Sequence, residues 1–255
     1  MPREKSSFTQ SPDSVDDSDL IFGSTERGKC IRRKKIVMIN PSQLLTEANN
    51  NACTMLIKMT TPAGEGVANP KAIIPLPSLR DCSGLQFFDL KLIGAAASYL
   101  HGSAFTIRKL GKQDGTTQWS APCFLQMHQI GLGLTVGYDD VKTVVVLGSD
   151  SAVHKAQSKF LLGADLDLIV GKSSAVVQSD VSETQAIPYS MADGALLDIS
   201  VKGGRITVDE KLNRQLYGSS ITADHILAGD VGAPDEMKPL YNIIHKLIAA
   251  AGTST

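Results

Sequence analysis

The sequence predicts an α+β fold: a curved antiparallel β-sheet or barrel-like core, with an N-terminal amphipathic helix before it and C-terminal helices after it. Three observations lead there. Between Gly84 and Val208, short β-patterned segments succeed one another with little helix among them, which favours an antiparallel sheet or barrel over a βαβ alternation. Gln113-Asp114-Gly115 supplies a hairpin turn between two of those segments. On either side of the β region, apolar residues recur at helical spacing. Periodicity alone leaves open whether the sheet closes.

Residues 1–28 are rich in Ser, Asp, Gly and charge, with Leu20, Ile21 and Phe22 as their apolar cluster. That is too little apolar surface to offset the entropy of ordering, so 1–35 is expected to be a disordered charged tail and 36–250 the folded domain. Ile36-Val37-Met38-Ile39 is short enough to be a strand or a docking segment. Asn40 can cap a helix, with Pro41 at its first position and Gln43 placed for a box-like cap. Leu44, Leu45, Ala48, Ala52, Met55, Leu56 and Met59 then mark one helix face until Pro62 and Gly64 stop it. The other face carries Glu47, Asn49, Asn50, Thr54 and Lys58. Thr61–Lys71 reads as a loop, and Pro75-Leu76-Pro77-Ser78 leads into a helical turn.

Candidate strands follow at Leu85–Leu92, Ala96–Leu100, Ala104–Leu110, Trp119–Met127, Leu134–Tyr138 and Val141–Leu147. Asp150–Phe160 reads as a helix. Ala164, Leu166, Leu168 and Val170 alternate with Asp165 and Asp167, the mark of a half-buried strand. Ala186–Met191, Ala195–Val201 and Arg205–Val208 are further candidates, the last two joined by Lys202-Gly203-Gly204. Helices are expected at Asp209–Tyr217, behind a Thr222 cap, and from Pro234 to about Ala250.

At 255 residues the chain can bury a substantial core. A net charge of −1 excludes a globally basic nucleic-acid binder, yet it conceals an acidic block (Asp13, Asp16, Asp17, Asp19) beside a basic one (Arg27, Lys29, Arg32, Arg33, Lys34, Lys35). Cys30, Cys53, Cys82 and Cys123 are widely spaced with no C-x-x-C pair, so reduced thiols are expected rather than zinc or redox use. No apolar run is long enough for a bilayer, and no apolar region follows the charges of the first residues as a secretory signal requires. The expected location is the cytoplasm, with peripheral contact at membranes.

Motifs of catalysis fail on their spacing. Gly171-Lys172-Ser173 invites a P-loop reading, but Leu166 stands where the loop needs its first glycine. Gly131-Leu132-Gly133-Leu134-Thr135-Val136-Gly137 has its third glycine one residue late for a dinucleotide fingerprint and no βαβ unit around it. The five histidines, His101, His128, His154, His225 and His245, show no metal-ligand spacing, and Ser120 and Ser190 lack a nucleophile elbow. No enzyme activity, cofactor or metal is expected. Trp119, the one tryptophan, is read as a core anchor beginning a strand.

Several segments nevertheless form a recognisable series: Trp119-Ser120-Ala121-Pro122, Tyr189-Ser190, Gly194-Ala195-Leu196-Leu197, Asn213-Arg214-Gln215-Leu216-Tyr217-Gly218, Ile221-Thr222-Ala223-Asp224-His225-Ile226-Leu227-Ala228-Gly229-Asp230 and Pro239-Leu240-Tyr241. In this order they resemble the SYLF domain family, with the strongest resemblance over 73–247. The resemblance implies a non-enzymatic module that binds anionic phospholipids and phosphoinositides and acts with actin or actin regulators. It also implies lipid contact through an N-terminal amphipathic helix bearing basic residues. Here the matching helix, Ser42–Thr60, retains only Lys58 as a base. Headgroup contact is therefore expected from Lys29, Arg32, Arg33, Lys34 and Lys35, with Lys58 in support; a solvated linker or a nuclear-import signal would also account for that run. The Src-homology-3 or FYVE modules of some relatives do not occur in these residues, so the chain is expected to work through its own surface. The competing expectation is a lipid or small-molecule carrier with a cavity inside a closed barrel.

Overall fold

In the computed structural model the described residues are 40–60, 74–94, 98–113, 115–131, 137–157, 160–161, 168–170, 186–194, 199–201 and 205–252. The expected tail 1–35, the segment 36–39 and the breakers Pro62 and Gly64 lie outside them. Helix α1 (Pro41–Thr60) starts as its sequence predicts: the Ser42 amide donates to Asn40 Oδ1 at 3.1 Å, with Pro41 in the first turn. A short helix, α2 (Leu76–Asp81), leads into the sheet.

Among the described residues ten strands follow: β1 (Gly84–Gly94), β2 (Ser98–Gln113), β3 (Thr116–Trp119), β4 (Cys123–Gly131), β5 (Gly137–Leu147), β6 (Phe160–Leu161), β7 (Leu168–Val170), β8 (Ala186–Gly194), β9 (Ile199–Val201) and β10 (Arg205–Val208). Helix α3 (Asp150–Gln157) separates β5 from β6. The chain closes with α4 (Glu210–Tyr217), α5 (Ala223–Ala228), a 3-10 turn at Asp235–Met237 and α6 (Lys238–Gly252).

All pairings in the main sheet are antiparallel, in the order β6-β10-β4-β2-β1-β5-β8, with β3 pairing on β2. Among the described residues the path has two ends, β6 and β8, so the α+β fold stands and the barrel alternative does not: the sheet is open. A two-stranded ribbon of β7 and β9 stands apart.

Five features differ from expectation. The described part of the segment read as Ala96–Leu100, and Ala104–Leu110, belong to the one strand β2. At Gly102, inside β2, a Cβ would collide with the Asp89 carbonyl oxygen; the glycine permits close approach of β1. Val141–Leu147 and the end of Leu134–Tyr138 likewise share β5. Trp119 ends β3 rather than beginning β4, because Pro122 interrupts the ladder before Cys123. Ala195–Val201 and Arg205–Val208 contribute to different sheets, β9 to the ribbon and β10 to the main one. Helix α3 ends at Gln157, and Phe160 begins β6.

Strand alternation divides the core in two. Phe88, Leu90, Ala104, Cys123, Leu125, Val141 and Val145 face one side, where Ala152, Val153 and Ala156 of α3 and Ile226 and Leu227 of α5 cover them. Leu85, Phe87, Phe105, Ile107, Phe124, Val144 and Val146 face the other, under α1, α2 and α6. The result is a sheet between two helical layers, which is why runs such as Val144-Val145-Val146-Leu147 are apolar at every position.

Helix α1 belongs to this core. Leu45, Met55, Leu56 and Met59 are buried with Ala52. Asn51 Nδ2 donates to Asp89 Oδ2 of β1 at 2.8 Å. Buried Asn49 accepts the Leu240 amide of α6 on its Oδ1 at 3.0 Å, capping one helix from another. Four long apolar side chains at ~1.5–3 kcal/mol each place about 6–12 kcal/mol behind this docking.

Candidate functional site

The motif residues divide by the way they face. One group converges on the irregular segment between β3 and β4. Asn213 of α4 is 2% exposed; its Oδ1 accepts the Phe124 amide and its Nδ2 donates to the Phe124 carbonyl, both at 2.9 Å. Tyr217 Oη donates to the Pro122 carbonyl at 2.8 Å, and Tyr241 Oη of α6 donates to the Ser120 carbonyl at 2.9 Å. Ser120 Oγ accepts the Arg108 amide and donates to the Ala121 carbonyl, each at 2.9 Å. Two sequence-distant motifs, together with Ser120 itself, thus satisfy backbone groups around Pro122 and the strand break. Ser190 makes a similar buried bond, 2.8 Å to Thr143.

Electrostatics keep this clamp neutral. Burial pushes the Tyr217 phenol well above its ordinary range, with Tyr241 and Cys123 adding to the shift, and burial does the same to Tyr241. Both hydroxyls therefore remain donors. The Cys123 thiol is pushed up to about 12, chiefly by burial and further by the Asp224 charge, against the lowering contact from Asn213. These are structural groups with no nucleophile among them. Trp119 is 5% exposed and sits in the core under α6, as an anchor should.

The second group faces outward, into a cleft of about 400 Å³ between α3, α4 and α5. Arg214 of α4 pairs with Glu210 one turn earlier at 2.6 Å. Asp224 of α5 lies 4.0 Å from His154 Nδ1 of α3. Thr222 caps α5 in a reciprocal box with His225, as expected for the cap. Val208, Ile221 and Ala223 form the apolar part of the lining. Among the described residues, no three His, Cys, Asp or Glu side chains are grouped as metal ligands, and no helix is long and apolar enough to cross a membrane.

Of the residues expected to contact lipid, Lys29, Arg32, Arg33, Lys34 and Lys35 lie outside the described residues, and Lys58 is exposed on the last turn of α1. The apolar face of α1 that would enter a bilayer is instead packed on the domain.

A layered α+β domain whose motif residues brace a strand break beside a charged cleft is the class that the structure defines. Residues 128–247 match the Ysc84 family model, described as Las17-binding protein actin regulator, and the SYLF resemblance read from the motifs agrees with that match. An SH3 domain-containing protein of Schizosaccharomyces pombe is 28% identical over 183 residues, covering 69% of this chain and 42% of that protein. The SH3 domain-containing YSC84-like protein 1 of Mus musculus is 27% identical over 210 residues, covering 80% of this chain and 60% of the relative; its Xenopus laevis counterpart is 28% identical over 210 residues, with 80% and 61% covered. The chain thus spans roughly half the length of these curated relatives. No solved structure matches it.

Proposed function

We propose that this protein is a non-enzymatic, cytoplasmic adaptor in actin regulation that meets anionic, phosphoinositide-containing membranes at their surface. The observation that carries the reading is the match of residues 128–247 to a family described as Las17-binding actin regulators. The membrane arm is supported by the basic run Arg27–Lys35. At ~1 kcal/mol per basic residue near an anionic surface, its six cations provide at most about 6 kcal/mol. Helix insertion is the weaker route: freeing α1 would first cost the ~6–12 kcal/mol of its docking. The contact is therefore electrostatic and reversible, through Lys29, Arg32, Arg33, Lys34 and Lys35, with Lys58 adding charge.

The test of the adaptor reading is binding of the full chain to purified Las17, together with actin assembly in its presence and absence. Saturable binding and a changed assembly rate are expected. No binding, and assembly curves that superimpose, would remove the reading.

A further inference from the structure

Register across the main sheet brings four basic residues into one row. Arg205 of β10 stands opposite His128 of β4, His128 opposite His101 of β2, and His101 opposite Lys91 of β1. Directly paired residues share a face. Here it is the face that α1 reaches where Asn51 Nδ2 donates to Asp89 Oδ2 at 2.8 Å. Two residues beyond Asp89, Lys91 is exposed. With adjacent strands ~4.8 Å apart, the row runs about 14 Å. We infer that this row is a binding site for clustered phosphate groups, carried by a soluble ligand or by a lipid headgroup. The inference uses none of the cations of the basic run Arg27–Lys35 and is independent of the membrane reading.

The row adds nothing to the stability of the sheet. Like charges directly opposite one another destabilise a strand pair, and the neighbouring row on this face avoids them. There Asp89 stands opposite Lys142 on one side and Ser103 on the other, and Ser103 stands opposite Gln126. The chemistry suits an anion instead. Arginine and lysine bring permanent charge, and imidazole donates to an anion in either of its charge states.

Distance decides against the acidic neighbours. The row continues into Asp140 of β5 and Asp193 of β8. Between strand axes, Asp140 lies about 12 Å from the middle of the histidine pair, beyond the ~8 Å screening length at physiological salt. Lys91 and Arg205 each lie within about 7 Å of the same point. An anion there meets the cations first. A transition-metal ion on the two histidines would instead stand between two fixed positive charges.

The experiment titrates the full chain, isotope-labelled, with sodium pyrophosphate and, at matched ionic strength, with sodium chloride, following amide shifts. Pyrophosphate should move the amides of Lys91, His101, His128 and Arg205 in a saturable way, with a dissociation constant of millimolar order or below. Chloride should not. Lys91→Gln combined with Arg205→Gln should weaken pyrophosphate about ten-fold. His101→Gln combined with His128→Gln should weaken it about three-fold or more, and serves if the first pair is misfolded. Lys246→Gln, at an exposed cation of α6, should leave the affinity unchanged. Replacing Arg32, Arg33, Lys34 and Lys35 by Ala should also leave it unchanged, which separates this site from the basic run. Displacement of pyrophosphate by phosphatidylcholine vesicles containing phosphoinositide would assign the row to a lipid headgroup; shifts that persist beside them would assign it to a soluble phosphate. Absence of saturable shifts in the row, an equal response to chloride, or equal weakening by Lys246→Gln would each overturn the assignment.

Discussion

Replacing Asn213 by Ala tests the bracing of the strand break at its most buried point. The side chain is 2% exposed and makes a reciprocal pair of bonds with the Phe124 backbone, each 2.9 Å. The Phe124 carbonyl keeps a second donor, the Asp209 amide at 3.0 Å, so the variant leaves the Phe124 N–H as the orphan. One stranded buried donor costs about 1–3 kcal/mol, and the lost contacts around the missing amide add to it. A total of about 3 kcal/mol lowers the melting midpoint by about 6–12 °C for a domain of this size. The assay is thermal or urea unfolding beside Asn242→Ala, an exposed α6 position expected to stay within about 0.5 kcal/mol of the parent. A loss below about 1 kcal/mol for Asn213→Ala would refute the reasoning.

Tyr217→Phe and Tyr241→Phe should each cost about 1 kcal/mol, since each loses one hydrogen bond to the segment Ser120–Pro122. Because both grip the same few residues, a double-mutant cycle should depart from additivity by about 0.5 kcal/mol or more. Asn49→Ala should destabilise by about 1–3 kcal/mol in urea unfolding by orphaning the Leu240 amide, with α1 losing its tie to α6. Burial pushes the Cys82 thiol up to about 11 and Cys123 to about 12, from an ordinary 9.0. Both should resist a thiol reagent in the native chain and react on denaturation. The sign follows from the raised values: the folded state keeps its protons while the unfolded thiols ionise, so this contribution to stability is intact below pH 9 and declines between pH 9 and about 11–12. Unfolding measured across that window checks it.

Much of the fold was legible because local chemistry and tertiary structure agree. Asn40-Pro41 starts α1, Gly115 takes the positive φ of 78° that the β2–β3 turn requires, and Thr222 caps α5. The misread boundaries came from residues whose reason is non-local. Gly102 suits the approach of a neighbouring strand, which no window of sequence around it contains. The apolar run at 144–147 carried a sign of burial on both faces, and period-2 alternation alone passed over it. The clamp had a faint signal of its own: an asparagine inside a helix is a poor helix former and marks a side chain bonded elsewhere, as Asn213 and Asn49 both are. The cleft had none, for its charged residues come from positions 154, 210, 214 and 224 and meet only through packing of three helices.

The central claim, an adaptor joining anionic membranes to the actin machinery, is tested most directly by vesicle flotation with filamentous actin, Las17 and the full chain. Vesicles with and without phosphoinositide should differ, with actin floating only when the chain is present and the vesicles are anionic. Replacing Arg32, Arg33, Lys34 and Lys35 by Ala removes up to about 4 kcal/mol of attraction and should abolish flotation, as should raising the salt. Actin that stays at the bottom of the gradient at low salt with the unaltered chain, or floats equally with the neutralised one, would contradict the account.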